Sequence, residues 1–114
     1  MVDNLHSYWA SLADDVDRAC RERPDRTFDA GLFEWCALGA LRLHFTAFTG
    51  DVTSKRGAGQ HGLDVAPERF HELLHTALTA RAGGLVVPSA AEMSAAVALT
   101  RWVIDDVDDA DRQR

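Results

Sequence analysis

WCALGALRLHFTAFTGDVTSKRGAGQHGL, residues 35–63, is the stretch that decides how this chain folds. It begins as an almost entirely apolar segment, is broken at Thr49-Gly50, and restarts at Thr53-Ser54. The restart carries Lys55, the only lysine of the sequence. A buried helix that leads into a polar turn with one lone cation presents that cation to a ligand, so we expect function to depend on this turn.

Apolar residues recur at helical spacing on both sides of this stretch. The predicted helices cover residues 4–23, 29–48, 53–63, 67–81 and 90 to the acidic tail. Their limits come from Pro24, Gly50, the Gly83-Gly84 pair and a capping box from Ser89 to Glu92. No alternation typical of strands occurs. The sequence therefore predicts an all-α fold, a single five-helix bundle that occupies residues 1–114.

The second and third helices are expected to differ in how they are held. The second is apolar in almost every direction, which predicts a central helix buried on most sides, and Gly39 would let a neighbouring helix approach it closely. The third, capped by Thr53 or Ser54, contains three glycines, each of which costs about 1 kcal/mol relative to alanine in a helix. It needs packing or a ligand to hold it.

The first and last helices carry clear apolar stripes. The stripe of the first helix predicts core positions at Leu5, Tyr8, Trp9, Leu12, Val16, Ala19 and Cys20. The last helix ends in the acidic run from Asp105 to Asp111, where the helix macrodipole disfavours negative charge. We expect that tail to fray and to be solvated. It is a poor magnesium site, because consecutive aspartates on a fraying helix do not converge.

Composition excludes several classes of function. The net charge is −6 and the pI about 5.2, which argues against binding to nucleic acid or to an anionic membrane and favours a cationic partner. No apolar run is long enough to span a membrane and no signal peptide is visible, so a cytoplasmic location is expected. Cys20 and Cys36 lie at apolar helix positions, which predicts reduced core thiols.

The segment from His71 to His75 reads HELLH and matches a zinc-protease pattern. The spacing puts two imidazoles one turn apart, with Glu72 available as general base and Glu92 as a distant third ligand. Leu78 and Arg81 stand where a metzincin would continue its motif. The alternatives are thus a small zinc hydrolase and, as the simpler interpretation, two partly exposed histidines on an amphipathic helix.

The turn from Thr49 to Lys55 is a candidate anion site. A helix N-terminus offers unpaired backbone N–H groups and a positive potential to an anion, and Lys55 adds a point charge that suits phosphate.

These residues also carry a resemblance. Arg42-Leu-His-Phe-Thr-Ala-Phe-Thr-Gly-Asp-Val-Thr-Ser-Lys55, then Ala58-Gly59, Pro67-Glu-Arg-Phe70 and Ala77-Leu78, resemble the C-terminal helical domain of the aminoglycoside adenylyltransferases, which act on streptomycin and spectinomycin. Asn4-Leu5-His-Ser-Tyr8-Trp9 and Trp102-Val-Ile104 resemble the edges of that domain.

The resemblance implies a divided adenylyltransferase. In the family, an N-terminal nucleotidyltransferase domain holds ATP and magnesium on paired aspartates and transfers AMP to an antibiotic hydroxyl. The helical domain closes the cleft, contacts the nucleotide phosphates and supplies carboxylates to the cationic drug. Lys55, with Ser54 beside it, matches the phosphate-contacting lysine, and Arg42 matches a recurrent arginine that is either structural or supports the site.

The chain also departs from the family pattern. Leu32 aligns with an acidic position, and the flanking Asp29 and Glu34 are the candidates for pairing with a drug cation. His61 stands at a position where tryptophan is common, and Arg81 where some members have an aromatic residue.

No G-S-x-x-x-G stretch followed by an Asp-x-Asp pair occurs in the sequence. We therefore expect the catalytic domain to be absent from this chain, which would itself hold no cofactor. The leading interpretation is a substrate- and nucleotide-binding helical domain, inactive alone, with an aminoglycoside or other cationic small molecule as ligand and a catalytic-domain partner chain. The alternative is a helical interaction module without a catalytic role.

Overall fold

The computed structural model describes residues 2–113, with side chains from His6 onward. Five helices make up this part of the chain. They are α1 (Val2–Glu22), α2 (residues 30–49), α3 (Lys55–Val65), α4 (His71–Arg81, after a 3-10 turn at Glu68–Phe70) and α5 (Ala90–Arg112). The predicted all-α fold is confirmed, and the helix limits lie within about two residues of those expected, apart from the start of α4 and the end of α5.

The central helix α2 is continuous but contains one wide turn. Its parts are Ala30–Glu34, a π-helical turn at Trp35–Gly39, and Ala40–Thr49. The hydroxyl of the fully buried Thr100 on α5 donates to the carbonyl of Cys36 in the wide turn, at 2.5 Å. A buried carbonyl needs such a donor, so α5 is fixed against the middle of α2 by a polar contact as well as by packing.

The core lies around α2, as predicted. Its fully buried members include Phe33, Leu38 and Leu41 from α2, Leu74 from α4, and Met93, Leu99 and Val103 from α5. Helices α1 and α5 pack along each other, and α3 and α4 cover the other side of α2. Both cysteines are buried and unpaired.

The glycines of α3 are sites of close helix approach. A Cβ at Gly59 would lie 2.5 Å from Leu78 Cδ2, and one at Gly62 would lie 2.6 Å from Leu41 Cδ1. These contacts supply the tertiary packing that the weak sequence of α3 requires. Gly39 has the same role on α2, because a Cβ there would lie 2.9 Å from a ring carbon of Trp9 on α1.

Two expectations for the terminal helices were wrong. Tyr8, assigned to the apolar stripe of α1, is 48% exposed, because its hydroxyl accepts a hydrogen bond from the indole N–H of Trp35 at the surface. The acidic tail does not fray at Asp105 but stays helical to Arg112. Asp106 and Asp108 each hydrogen-bond a histidine, at 2.8 Å in both cases, and so are not simply solvated. The side chain of Leu5 lies outside the described part.

The remaining connections are short. The predicted capping box is present, since Ser89 Oγ accepts from the Glu92 N–H and the Glu92 carboxylate accepts from the Ser89 N–H. The loop before α2 is tied to the loop before α5 by a hydrogen bond from the Phe28 N–H to the Pro88 carbonyl, at 2.9 Å. Within the described residues, no helix is both long and apolar enough to cross a membrane.

Candidate functional site

The start of α3 presents a cation beside an aromatic ring. Ser54 is the N-cap, and its Oγ accepts from the Gly57 N–H at 3.0 Å. Lys55 follows as the first helical residue, and its Nζ lies 5.7 Å from the centroid of the Trp35 ring on α2. No other bond to the Lys55 ammonium occurs within the described residues, so its three donors are free for a ligand.

Arg42 fixes the turn that leads into α3. Its Nε donates to the carbonyl of Thr53 at 3.1 Å, immediately before the cap residue. The turn itself begins at Gly50, which has a φ of 74° and therefore the left-handed conformation that glycine adopts without strain. Arg42 is exposed, and its terminal nitrogens have no partner within the described residues. We call Ser54, Lys55, Arg42 and Trp35 the lysine site.

A cavity of about 260 Å³ opens beside these residues. Its lining is Trp9, Trp35, Gly39, Arg42, Leu43, Thr46, Val52 and Thr53. Trp9 and Trp35 lie with ring centroids 5.0 Å apart, and Gly39 leaves room for both rings. The arrangement is an apolar, aromatic recess with a guanidinium at its edge and an ammonium over one of its rings. Such a recess accepts a planar or apolar group that carries an anion.

The two carboxylates expected to bind a drug cation are not brought together. Asp29 is the N-cap of α2, where its Oδ2 accepts from the Leu32 N–H at 3.1 Å. Glu34 is mostly buried, and its Oε1 has no hydrogen-bond partner in the part of the chain that the structure describes. The Nη1 of Arg81 on α4 lies 3.9 Å from that oxygen. Glu34 is therefore the less satisfied of the two carboxylates.

The HELLH segment, from His71 to His75, forms the first turns of α4. His71 Nε2 is 3.2 Å from the carbonyl of Ala66, whereas His75 is exposed and lines a groove with Arg56 and Gln60. Within the described residues, no three histidine, cysteine or carboxylate side chains converge as metal ligands, and Glu92 is engaged in the cap of α5. The geometry does not gather the zinc ligands that this alternative requires.

A further polar cluster was missed by the sequence analysis. His44 on α2 is 3% exposed and bonds Asp106 on α5 through Nε2 at 2.8 Å and His61 on α3 through Nδ1 at 2.9 Å. Burial, and then His44, lower the pKa of His61, while Asp64 acts to raise it. We call Asp106, His44 and His61 the histidine chain. Only His61, at a position where the family often has tryptophan, gave any signal of it.

A comparison with protein families gives a match that covers most of the chain. The family described as "Aminoglycoside adenylyltransferase, C-terminal domain" matches residues 4–106. Comparisons with curated proteins and with solved structures give no match.

Proposed function

This chain belongs to the family of aminoglycoside adenylyltransferase C-terminal domains, and we propose that it is the nucleotide- and substrate-binding part of an adenylyl-transfer site. The observation that carries the proposal is the lysine site. A capped helix start, a lysine over an aromatic ring and an anchored arginine meet at one edge of an aromatic recess.

Each group of the lysine site has a role in binding a polyphosphate. Lys55 supplies a mobile point charge, and the first N–H groups of α3 add the positive potential of a helix start. The hydroxyl of Ser54 accepts from Gly57 through a lone pair, so its own proton is free for a phosphate oxygen. Arg42 holds the turn with one N–H and keeps its terminal nitrogens for the same anion.

The chemical step belongs to a nucleotidyltransferase domain that binds ATP and magnesium. The described residues do not fit magnesium themselves, because no three metal-ligand side chains converge. We therefore assign no transfer step to this chain and expect it to be inactive alone. Its contribution is to hold the triphosphate and the acceptor so that the two reacting groups meet in one geometry.

The cationic acceptor is assigned to Glu34. An aminoglycoside carries several ammonium or guanidinium groups, and a buried carboxylate oxygen without a hydrogen bond is stabilised by acquiring a cationic donor. Arg81 approaches this oxygen only to 3.9 Å and is itself half exposed, so a ligand cation can replace it. Asp29 is placed in a secondary role, since its Oδ2 already caps α2.

The test uses the single lysine as a reporter. Protein labelled with ¹³C-lysine gives one internal set of side-chain signals, which is titrated with ATP and then with streptomycin or spectinomycin. We expect ATP to shift the Lys55 signals and expect Arg42→Ala to weaken that response. The matched control is Arg56→Ala, which removes the same charge from the next residue of α3, where the side chain lines a different groove.

Two outcomes would contradict the proposal. An equal loss in Arg42→Ala and Arg56→Ala would mean that ATP is attracted by charge alone. No response to ATP or drug, with the chain alone and with a catalytic domain added, would favour the helical interaction module. AMP transfer by the chain alone would remove the assignment of catalysis to another domain.

A further inference from the structure

The histidine chain crosses three helices with good hydrogen-bond geometry. His44 lies between the rings of Phe48 and Trp102, with centroids 4.4 and 5.2 Å away and interplanar angles of 22° and 20°. Its two nitrogens face Asp106 on one side and His61 on the other. The His44 ring is therefore fixed in its plane, and both of its nitrogens are committed.

The hydrogen-bond partners determine the neutral form of this chain. A carboxylate only accepts, so His44 must donate from Nε2 to Asp106. The Nδ1 of the neutral His44 then carries a lone pair and accepts from the Nε2–H of His61. His61 keeps its own lone pair on Nδ1, which is the end of the chain that can take a proton from solvent.

A first added proton leaves both hydrogen bonds in place. It binds at His61 Nδ1, while the proton on His61 Nε2 passes to His44 Nδ1. His44 is then an imidazolium that donates to Asp106 and to the neutral His61.

A second added proton cannot be accommodated in the same way. It must bind His61 Nε2, which then faces the Nδ1–H of His44, so two donors oppose each other at a site built for one hydrogen bond. Two cations would also lie with ring centroids about 5.1 Å apart. The bond between α2 and α3 is lost at this step.

The groups that face the chain agree with this order of events. Asp106 approaches from α5, Asp64 acts on His61 from within α3, and the other neighbours from α2 and α5 are aromatic rings. On α4, which also packs on α3, His71 is engaged at the Ala66 carbonyl and His75 lines the groove beside Gln60.

We propose that the histidine chain is a two-proton latch, which holds α3 against α2 while it carries no added proton or one and releases α3 when it carries two. Lys55 and His61 lie on the same eleven-residue helix, so release moves Lys55 away from Trp35 and Arg42 and takes the lysine site apart. The link to nucleotide rests on the function proposed above, whereas the release of α3 is a property of the fold itself.

The direction of the pH effect follows from proton counting. Burial and His44 hold the pKa of His61 below its ordinary value of 6.5 while α3 is docked. A released α3 regains the ordinary value and binds more protons. Release is therefore disfavoured above pH 6.5 and becomes favourable as the pH falls below it, by up to about tenfold per pH unit for one extra proton.

Two measurements on the intact chain test the latch without any ligand. Amide hydrogen exchange, corrected for the intrinsic effect of pH, is expected to accelerate in residues 55–65 below pH 6.5 and not in α5. The side-chain signals of ¹³C-labelled Lys55 are expected to lose the ring-current shift from Trp35 over the same pH range. Unchanged α3 exchange between pH 7.5 and 5 would overturn the proposal.

Substitutions separate the latch from general acid sensitivity. In His61→Gln, the amide N–H₂ group can donate to His44 Nδ1 but does not titrate, so α3 should stay docked at pH 5. Should that variant fold poorly, Asp64→Asn removes an exposed charge that supports the protonated form of His61 in the docked state, so the docked pKa of His61 falls further below the ordinary value and release at pH 5 should be more extensive. Asp25→Asn, the same charge change in a distant turn, should behave as the unmodified chain.

The results also distinguish the two proposals. A pH-dependent release without any ATP response would leave the latch standing and remove the proposed function. An ATP response that depends on Lys55, with α3 exchange independent of pH or unaltered in Asp64→Asn, would do the reverse.

Discussion

The lysine site and the histidine chain share two helices, α2 and α3, and are built in opposite ways. In the lysine site, Arg42 uses one N–H to hold a carbonyl, and among the residues that the structure describes the Lys55 ammonium contacts an aromatic ring alone. In the histidine chain, every ring nitrogen except His61 Nδ1 is hydrogen-bonded, and His44 is almost fully buried. The first cluster keeps donors for a ligand, and the second uses them within the fold.

This difference predicts how removal of each cluster should affect the stability of the fold and the binding of a ligand. A buried polar group that loses its partner costs free energy of folding, whereas an exposed cation without a partner contributes little to it. The histidine chain should therefore govern stability, and the lysine site should govern binding. The predictions below test that division, from the largest effect to the smallest.

Replacing His44 should give the largest effect. His44→Ala leaves a gap between Phe48 and Trp102 and removes the partners of Asp106 and His61, which should lower the free energy of unfolding by about 3 kcal/mol. Urea denaturation at pH 7.5 measures this loss. His75→Ala is the matched control, because His75 is exposed, and it should change stability by less than about 0.5 kcal/mol. An equally small loss of stability in both variants would mean that the histidine chain does not govern the stability of the fold.

Replacing Lys55 should reverse that pattern. Lys55→Ala removes a contact with Trp35 worth about 0.5–1 kcal/mol, so the protein should fold almost normally. It should weaken ATP binding by about tenfold or more, because a hydrogen bond to a charged group is worth about 1.5–3 kcal/mol. Calorimetric titration of the chain together with a catalytic domain measures the affinity. Lys55→Arg should restore part of it, and a full loss in that variant would indicate that the cation acts through packing.

The fold was largely readable from the sequence because it depends on local signals. Apolar periodicity, Pro24, Gly50 and the capping box of α5 place all five helices nearly where they occur. The glycines of α3 predict a weak helix that needs packing, and close contacts at Gly59 and Gly62 supply it. Their partners, Leu78 and Leu41, could not be named, since the sequence does not give the distances between helices.

Of the two polar clusters, the sequence predicts the lysine site but not the histidine chain, because only the first depends on local signals. Lys55 stood out because a single lysine after a helix break is a local pattern. The bond between His44 and Asp106 joins residues 62 positions apart, and the aspartate lies within a run of acidic residues that resembles a solvated tail. Nothing in the spacing of the residues distinguishes one aspartate of that run from the next. Only the packing of α5 against α2 determines which aspartate of the run bonds His44.

Ser54 has both a structural role, as the cap of α3, and a proposed binding role in the lysine site. Two substitutions of this residue separate the roles. Ser54→Ala removes the cap of α3 and should destabilise the chain by about 1 kcal/mol. Ser54→Asp keeps a capping oxygen for the Gly57 N–H, so stability should return. The added negative charge, however, lies beside the proposed phosphate position and should weaken ATP binding further. Parallel denaturation and ATP titration of the two variants separate the roles, and equal ATP affinity in both would place the phosphate elsewhere.

The smallest effect on binding is expected at Glu34, where the cation of Arg81 already occupies the position proposed for a drug cation. Arg81 approaches Glu34 at 3.9 Å without a hydrogen bond, and because the arginine is half exposed the pair contributes at most about 0.5–1 kcal/mol. Arg81→Gln should therefore strengthen the binding of streptomycin or spectinomycin by about threefold, since the drug no longer displaces a cation. Glu34→Gln should weaken it, and Asp29→Asn should have less effect because the Asp29 carboxylate already serves as a cap. Native mass spectrometry with each variant measures the order. Weaker drug binding in Arg81→Gln would mean that Arg81 positions Glu34 for the drug, and the carboxylate would then resemble the histidine chain more than the lysine site.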